Sequence, residues 1–339
     1  VAKAGIVDAA LASLRSASID CSVFDGVAEN PTTRHVEEAT AQARELDDAK
    51  ITIIGLGGGS AMDCAKGVNF LLSNGGRMED YCGDGLASKP MLPSIGVPTT
   101  AGTGSEAQRF ALISDTDSHE KMACGDERAR FRTVILDAEL TRTVPLLTRS
   151  AVGVDALSHA IESFVSSAAG PQSRFLSSEA LRLLDVSFQD SLKEAAGNAT
   201  RARMLLGAHW AGAAIERSML GATHACANPL TARYRIVHGI AIGVMLPHVI
   251  RFNAETCAAD YGQLAQVLDS PKRGSAAALL ERVETLLQEA SMPASLRDLG
   301  VPPGDLPMLA SAAASQKTAR FNPRPVTEAE ILDLYKVAS

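Results

Sequence analysis

The stretch IIGLGGGSAMDCAKG, residues 53–67, limits what this chain can fold into more than any other part of it. A short apolar run ends in Gly57, Gly58 and Gly59, and a helical pattern starts at once. A strand that turns directly into a helix is the repeating unit of a mostly parallel sheet covered by helices. The neighbouring segments keep the same alternation. AGIVDAALASLRS predicts an amphipathic helix with Ile6, Ala9, Leu11 and Leu14 as its apolar positions, DCSVFDGV a short strand, RHVEEATAQAREL a second helix, and KITIIGL a buried strand. The chain opens on a helix where such a domain normally opens on a strand, so a native beginning further upstream is expected.

From about residue 143 the strand signals nearly vanish. LTRSAVGVDALSHAIESFVSS, FLSSEALRLLDVSFQDSLKEAA, ARMLLGAHWAGAAIERS and GSAAALLERVETLLQEA all carry helical periodicity. A chain of 339 residues exceeds one ordinary core. Two domains are therefore expected: an α/β dinucleotide-binding domain over 1–142 and a helical, metal-binding domain over 143–339. The boundary near TRTVP has no long linker, which predicts a tight interface.

Composition narrows the partners. Hydrophobic residues make up 46% and charged residues 21%, as in ordinary globular proteins, and the net charge of −7 comes without a basic block. Nucleic acid and anionic membranes are poor partners for such a surface. No apolar run reaches the roughly 20 residues that span a bilayer, and the N-terminus lacks a signal-peptide pattern. The six cysteines are scattered without a CxxC, the usage of a reduced, cytoplasmic protein.

The glycine turn admits two readings. It is either a plain tight turn or a phosphate cradle, since glycine lets backbone approach an anion and a helix N-terminus favours one. Ser60 stands where the full GxGxxG fingerprint has its last glycine, and is placed to cap the helix with Asp63 completing a box. A second polar loop, GVPTTAGTGSEAQRF, offers the hydroxyls of Thr99, Thr100, Thr103 and Ser105. Such hydroxyls suit ribose, phosphate or a solvated turn. Two loops of this kind at strand ends are where a nucleotide lies in an α/β domain.

The second half holds a different chemistry. Asp155 and His159 are four apart in a helical pattern and share a face. Their neighbours Val154, Leu157, Ile161 and Phe164 are apolar, and a buried carboxylate needs a partner or a metal. His224 lies in SMLGATHACANP, where Pro229 is expected to end or bend the helix, and His238 opens the apolar segment IAIGVMLPHVI. One carboxylate and three imidazoles suit a divalent transition metal. His35, His119, His209 and His248 are read as hydrogen-bonded core residues.

Taken together, GGGSAMDCAKG, PTTAGTGSEA, DALSHAIESF, HACANPL, HGIAIGVMLPHVIRFN and FNPRP resemble the iron-containing (group III) alcohol dehydrogenase family, in family order and across essentially the whole chain. The resemblance implies a Rossmann-like, mostly parallel α/β nucleotide-binding domain followed by an all-α metal domain, with the active site in the interdomain cleft. It implies Asp155, His159, His224 and His238 as metal ligands and Asn30 as an adenosine-side contact. Gly58, Gly59, Ser60 and Asp63 become the diphosphate loop, and Thr99, Thr100, Thr103 and Lys121 surround the ribose and nicotinamide. The implied reaction moves a hydride between a small alcohol or aldehyde and NAD or NADP, with Fe²⁺ the family's ion and Zn²⁺ equally acceptable to these ligands. A homodimer or larger homo-oligomer is expected. Rival readings are a glycerol dehydrogenase-like, maleylacetate reductase-like or dehydroquinate synthase-like enzyme, or a nucleotide- and metal-binding protein without turnover. The chain departs from the pattern at Asn228, where many members carry histidine, and at Gln108, where threonine is common. The strand that helps choose between NAD and NADP is not in the sequence.

Overall fold

The computed structural model describes residues 5–46, 51–118 and 120–339, so His119 lies outside the described residues. The chain divides into two compact units, one formed by the residues up to Thr100 with Ser105–Thr143, the other by Ala101–Gly104 with Val144–Ser339.

In the first unit, helices α1 (Ile6–Ser16) and α2 (Thr33–Arg44) precede strand β1 (Ile53–Gly57), which runs through the glycines into helix α3 (Gly59–Asn74). Strands β2 (Gly83–Asp84), β3 (Ser94–Pro98), β4 (Phe110–Ser114), β5 (Lys121–Gly125) and β6 (Thr133–Val134) follow. They form two three-stranded sheets. One is wholly parallel, in the order β1-β3-β6, with Gly57 level with Pro98. In the other, β5 lies between parallel β2 and antiparallel β4. The core of this unit is built from Val36, Val68, Phe70, Met78, Ile113 and Cys124 among others, with α3 buried along most of its length.

Three expectations are corrected here. DCSVFDGV forms no strand. Its residues are mostly exposed, and Gln42 Nε2 donates to Ser22 Oγ and to the Val23 carbonyl, at 2.7 and 2.9 Å, in place of a ladder. A lone segment gains nothing from an extended backbone unless it joins a sheet, and this one pairs with none of the described strands. The strand β1 is only half-buried, with Ile54 41% exposed. Ser60 does not cap α3: the cap position falls on Gly58 and no side chain bonds there. Asp63 turns instead to Ser105 Oγ at 2.5 Å and Lys66 Nζ at 3.6 Å.

The second unit is helical throughout: α4 (Leu146–Val165), α5 (Pro171–Ser191), α6 (Asn198–Ser218), α7 (Ala222–Tyr234), α8 (His238–Leu264), α9 (Ala276–Glu289), α10 (Leu306–Ala314) and α11 (Glu328–Val337). Helix α4 packs against α5, α6 and α8 and is buried at nearly every position from Ser150 onward. A helix buried all round belongs at the centre of its unit. Pro229 lies inside α7 rather than ending it, and Pro247 lies inside α8. The burial of Ala222–Ala227 and Leu230 holds α7 together across the missing N–H, and because the helix begins at Ala222, His224 stands in its first turn. None of the described helices is long and apolar enough to cross a membrane.

Candidate metal centre

The centre is assembled from three helices of the second unit. On α4 the i,i+4 spacing brings His159 Nε2 to 3.1 Å from Asp155 Oδ1. The first turn of α7 adds His224, whose Nε2 lies 3.1 Å from His159 Nε2 and 3.4 Å from the same aspartate oxygen. His238, the first residue of α8, reaches within 3.8 Å of Asp155 Oδ1, and its Nδ1 lies 3.3 Å from Thr231 Oγ1. Gly239 sets this approach. A Cβ there would fall 1.9 Å from the Ala151 carbonyl, so only glycine lets α8 start so close to α4, one turn before Asp155.

The donor atoms fit one cation. Bonds of roughly 2.0–2.2 Å to a common ion put neighbouring donors on the order of 3.0–3.5 Å apart, the range of the three shortest separations. Asp155 Oδ1 is buried, and among the described residues no hydrogen bond of sound geometry reaches it. A buried carboxylate oxygen facing imidazole nitrogens, two of them at 3.1–3.4 Å, is costly unless a positive charge sits among them. Asp155, His159 and His224 are nearly sealed from solvent, while the His238 side chain is 35% exposed and marks the open side.

Electrostatics follow from the same contacts. Burial works to raise Asp155, yet the imidazoles, His159 foremost, hold it well below the usual carboxylate range. Burial lowers the His224 pKa, but the adjoining Asp155 and Glu162 carboxylates outweigh it and push it up to about 9. Without a metal, a proton on His224 supplies the positive charge that the cluster requires. Glu162 was not anticipated from the sequence. It accepts from His224 Nδ1 at 2.6 Å and from the Thr223 N–H at 2.6 Å, and those bonds outweigh burial and lower its own pKa. Its signal was present: it is the third carboxylate or imidazole along α4, three residues after His159.

In the first unit, Gly58, Gly59 and Ser60 lie at the C-terminal end of β1 and the start of α3. Thr99 and Thr100 follow the adjacent parallel strand β3, and the Thr99 N–H donates to the Gly57 carbonyl at 2.8 Å. Both loops therefore emerge side by side at the carboxyl edge of one parallel sheet, where α/β folds bind nucleotides. Asn30 and Lys121 lie on other segments of the unit, with the Lys121 charge acting on Asp63. Asn30 is exposed with φ 54° and precedes Pro31, whose carbonyl accepts from the Ser114 N–H, while Lys121 is exposed opposite Ser114 in the second sheet. Thr103 falls in Ala101–Gly104, which groups with the helical unit. Lys66, also not anticipated, is fully buried and donates to the Ser105 carbonyl, Ser105 Oγ and the Phe110 carbonyl at 2.7, 2.8 and 2.7 Å. It pins the loop that leaves β3. Burial raises the pKa of Asp63 despite Lys66 and Ser105 beside it.

The Asn228 amide donates to Gln316 Oε1 at 3.1 Å. His35 Nδ1 accepts from the Thr32 N–H at 3.0 Å and helps to cap α2. His248 Nδ1 is buried without a hydrogen-bond partner among the described residues, contrary to its reading as a satisfied core histidine.

Comparison with known proteins now adds to this geometry. Residues 1–138 match the family model described as iron-containing alcohol dehydrogenase, and residues 150–339 match that of the Fe-containing alcohol dehydrogenase family, C-terminal. Alcohol dehydrogenase 4 of Schizosaccharomyces pombe is 34% identical over 100% of this chain and 80% of its own length. The crystal structure of 1,3-propanediol oxidoreductase superposes with a TM-score of 0.94 at 31% identity, covering 99% of this chain and 88% of that one. Sulfoacetaldehyde reductase from Bifidobacterium kashiwanohense, solved in complex with NAD⁺, superposes at 0.87 with 26% identity, covering 98% and 88%. The class is that of an oxidoreductase acting on alcohols and aldehydes. Within it, the chain belongs to the iron-containing alcohol dehydrogenase family.

Proposed function

We propose that this protein transfers a hydride between a small alcohol or aldehyde and NAD(P), with one divalent ion, Fe²⁺ in the native protein, held by Asp155, His159, His224 and His238. The observation that carries the reading is the convergence of His159 Nε2 and His224 Nε2, 3.1 Å apart, on a buried Asp155 oxygen. When bound, the ion draws electron density from the substrate oxygen and the nicotinamide takes or returns the hydride. The protein's own part is positional. Asp155 neutralises charge in a site that excludes water, and the exposed side at His238 admits the substrate oxygen. Gly58, Gly59 and Ser60 offer backbone to the cofactor diphosphate, with Thr99, Thr100, Thr103 and Lys121 around the ribose and nicotinamide and Asn30 on the adenosine side. Asp63 supports the loop through Ser105 rather than touching the cofactor. The Asn228 amide does not titrate near neutrality, so no proton passes through that position.

The six free cysteines favour the cytoplasm as its compartment, and a homodimer or larger homo-oligomer, checked by sedimentation, completes the proposal. The deciding experiment combines elemental analysis of protein purified without chelator with NADH and NADPH oxidation over a panel of small aldehydes. One metal per chain, activity lost on chelation and activity restored by Fe²⁺ or Zn²⁺ are expected. Full activity in metal-free protein refutes the reading.

A further inference from the structure

Helix α7 begins without a cap of its own. Gly221 precedes it and no side chain of the cap position bonds there, although the first N–H groups of any helix need acceptors. Two residues remote in sequence supply them. Asn322 Oδ1 accepts from the Ala222 N–H at 3.1 Å, and Glu162 Oε1 from the Thr223 N–H at 2.6 Å. The second oxygen, Glu162 Oε2, takes His224 Nδ1 at 2.6 Å. Asn322 is itself held by Asn253 of α8, with amide–carbonyl distances of 2.7 and 3.0 Å in the two directions. Gly221 makes room for this arrangement, because a Cβ there would lie 3.0 Å from both Asn322 Oδ1 and Glu162 Oε1 and would push them back by a few tenths of an ångström.

We infer that Glu162 is the positioning residue of the metal centre: by holding Thr223 N–H and His224 Nδ1–H together, it keeps His224 in one tautomer and aims the Nε2 lone pair at the ion. The inference rests on the metal-dependent reading above. A capping role alone asks for a single acceptor, and asparagine or serine meets it without burying a charge. Glu162 is buried, and its second oxygen addresses the ring nitrogen on the side away from Asp155, which faces Nε2. A carboxylate on that nitrogen fixes the tautomer and makes the ligand more basic. Asp155 and Glu162 together place two negative charges in the centre, which a divalent cation with neutral imidazoles balances.

Glu162→Gln tests this directly. Glutamine has one acceptor oxygen for two donors. If the oxygen faces His224, the amide N–H₂ opposes the Thr223 N–H. If it faces Thr223, the amide donates to Nδ1 and drives the ring proton onto Nε2, where it blocks coordination. In competition against a chromophoric chelator, Zn²⁺ affinity is expected to fall about 10- to 100-fold, and the visible bands of the Co²⁺-loaded protein should shift. Wild-type affinity and an unchanged Co²⁺ spectrum in the variant overturn the inference alone. Absence of tight Zn²⁺ binding in the wild type overturns the metal reading with it. Should the variant fail to fold, ¹⁵N-resolved NMR of the Zn²⁺-loaded wild type decides. The His224 ring proton is expected on Nδ1, and finding it on Nε2 refutes the assignment.

Discussion

His224 answers two demands with one ring, a hydrogen bond to Glu162 through Nδ1 and a place in the ion cluster through Nε2. In metal-free protein the second demand is met by a proton, and the sign of its effect on stability is fixed. The folded pKa, about 9, lies above the unfolded value near 6.5. The protonated ring therefore stabilises the fold fully below pH ~6.5, and that contribution is lost as pH rises through about 9. Asp155 acts in the opposite sense, because its depressed pKa gives stability above the ordinary carboxylate range that is lost in acid. Metal must displace the His224 proton, so the metal-induced rise in melting temperature should grow between pH 6.5 and 9. Scanning calorimetry with and without chelator measures it, and a difference flat with pH contradicts this account.

Elements are held in place here by close approaches that side chains would block. Gly239→Ala puts a methyl group where the Ala151 carbonyl stands, so α8 must move and His238 with it. Overpacking of this kind costs about 1–3 kcal/mol or more. Denaturant midpoints and metal content should fall together, and a stable variant with full metal places the tolerance of α8 higher than the geometry allows. In the first unit, Lys66 ties α3 to the loop after β3 and to the start of β4 through three hydrogen bonds. Lys66→Met leaves two carbonyls and the Asp63 carboxylate without their cation. Breaking one partner of a buried ionic group costs roughly 3–5 kcal/mol. Urea unfolding of the first unit should show that loss while the metal content stays at the wild-type level.

At the scale of the whole molecule, the two units have separate hydrophobic cores, one drawn from residues up to Ala129 and the other from Val154 onward. Cofactor and metal chemistry should therefore be separable by mutation. A Cβ at Gly58 would lie 3.4 Å from Thr100 Oγ1, an ordinary contact at an unstrained backbone, so Gly58→Val should fold. Its branched side chain would occupy the space a diphosphate needs. Fluorescence titration should show NAD(P)H affinity reduced at least tenfold with metal content unchanged, and chelation should do the reverse. Unchanged cofactor binding in the variant moves the nucleotide away from this loop.

Local periodicity carries local structure, and much of this molecule was legible from it. The strand-to-glycine-to-helix step at 53–67, the helical second half and the shared face of Asp155 and His159 all follow from spacings of a few residues. The six motifs, in their order along the chain, suffice to suggest the family. Periodicity failed where a local pattern had rival partners. DCSVFDGV alternates like a strand but pairs with none of the described strands, and Ser60 and Asp63 have the spacing of a capping box although Asp63 is taken by Ser105. What lay beyond the sequence was contact across long separations. Glu162 and His224 are 62 residues apart, and Ala222 and Asn322 are 100 apart. No pattern in the chain encodes those distances, because they depend on how α4, α7 and α8 pack, and packing is decided by the whole buried core at once. The residues able to hold a metal could be nominated from sequence; the carboxylate that aims one of them is visible only in the fold.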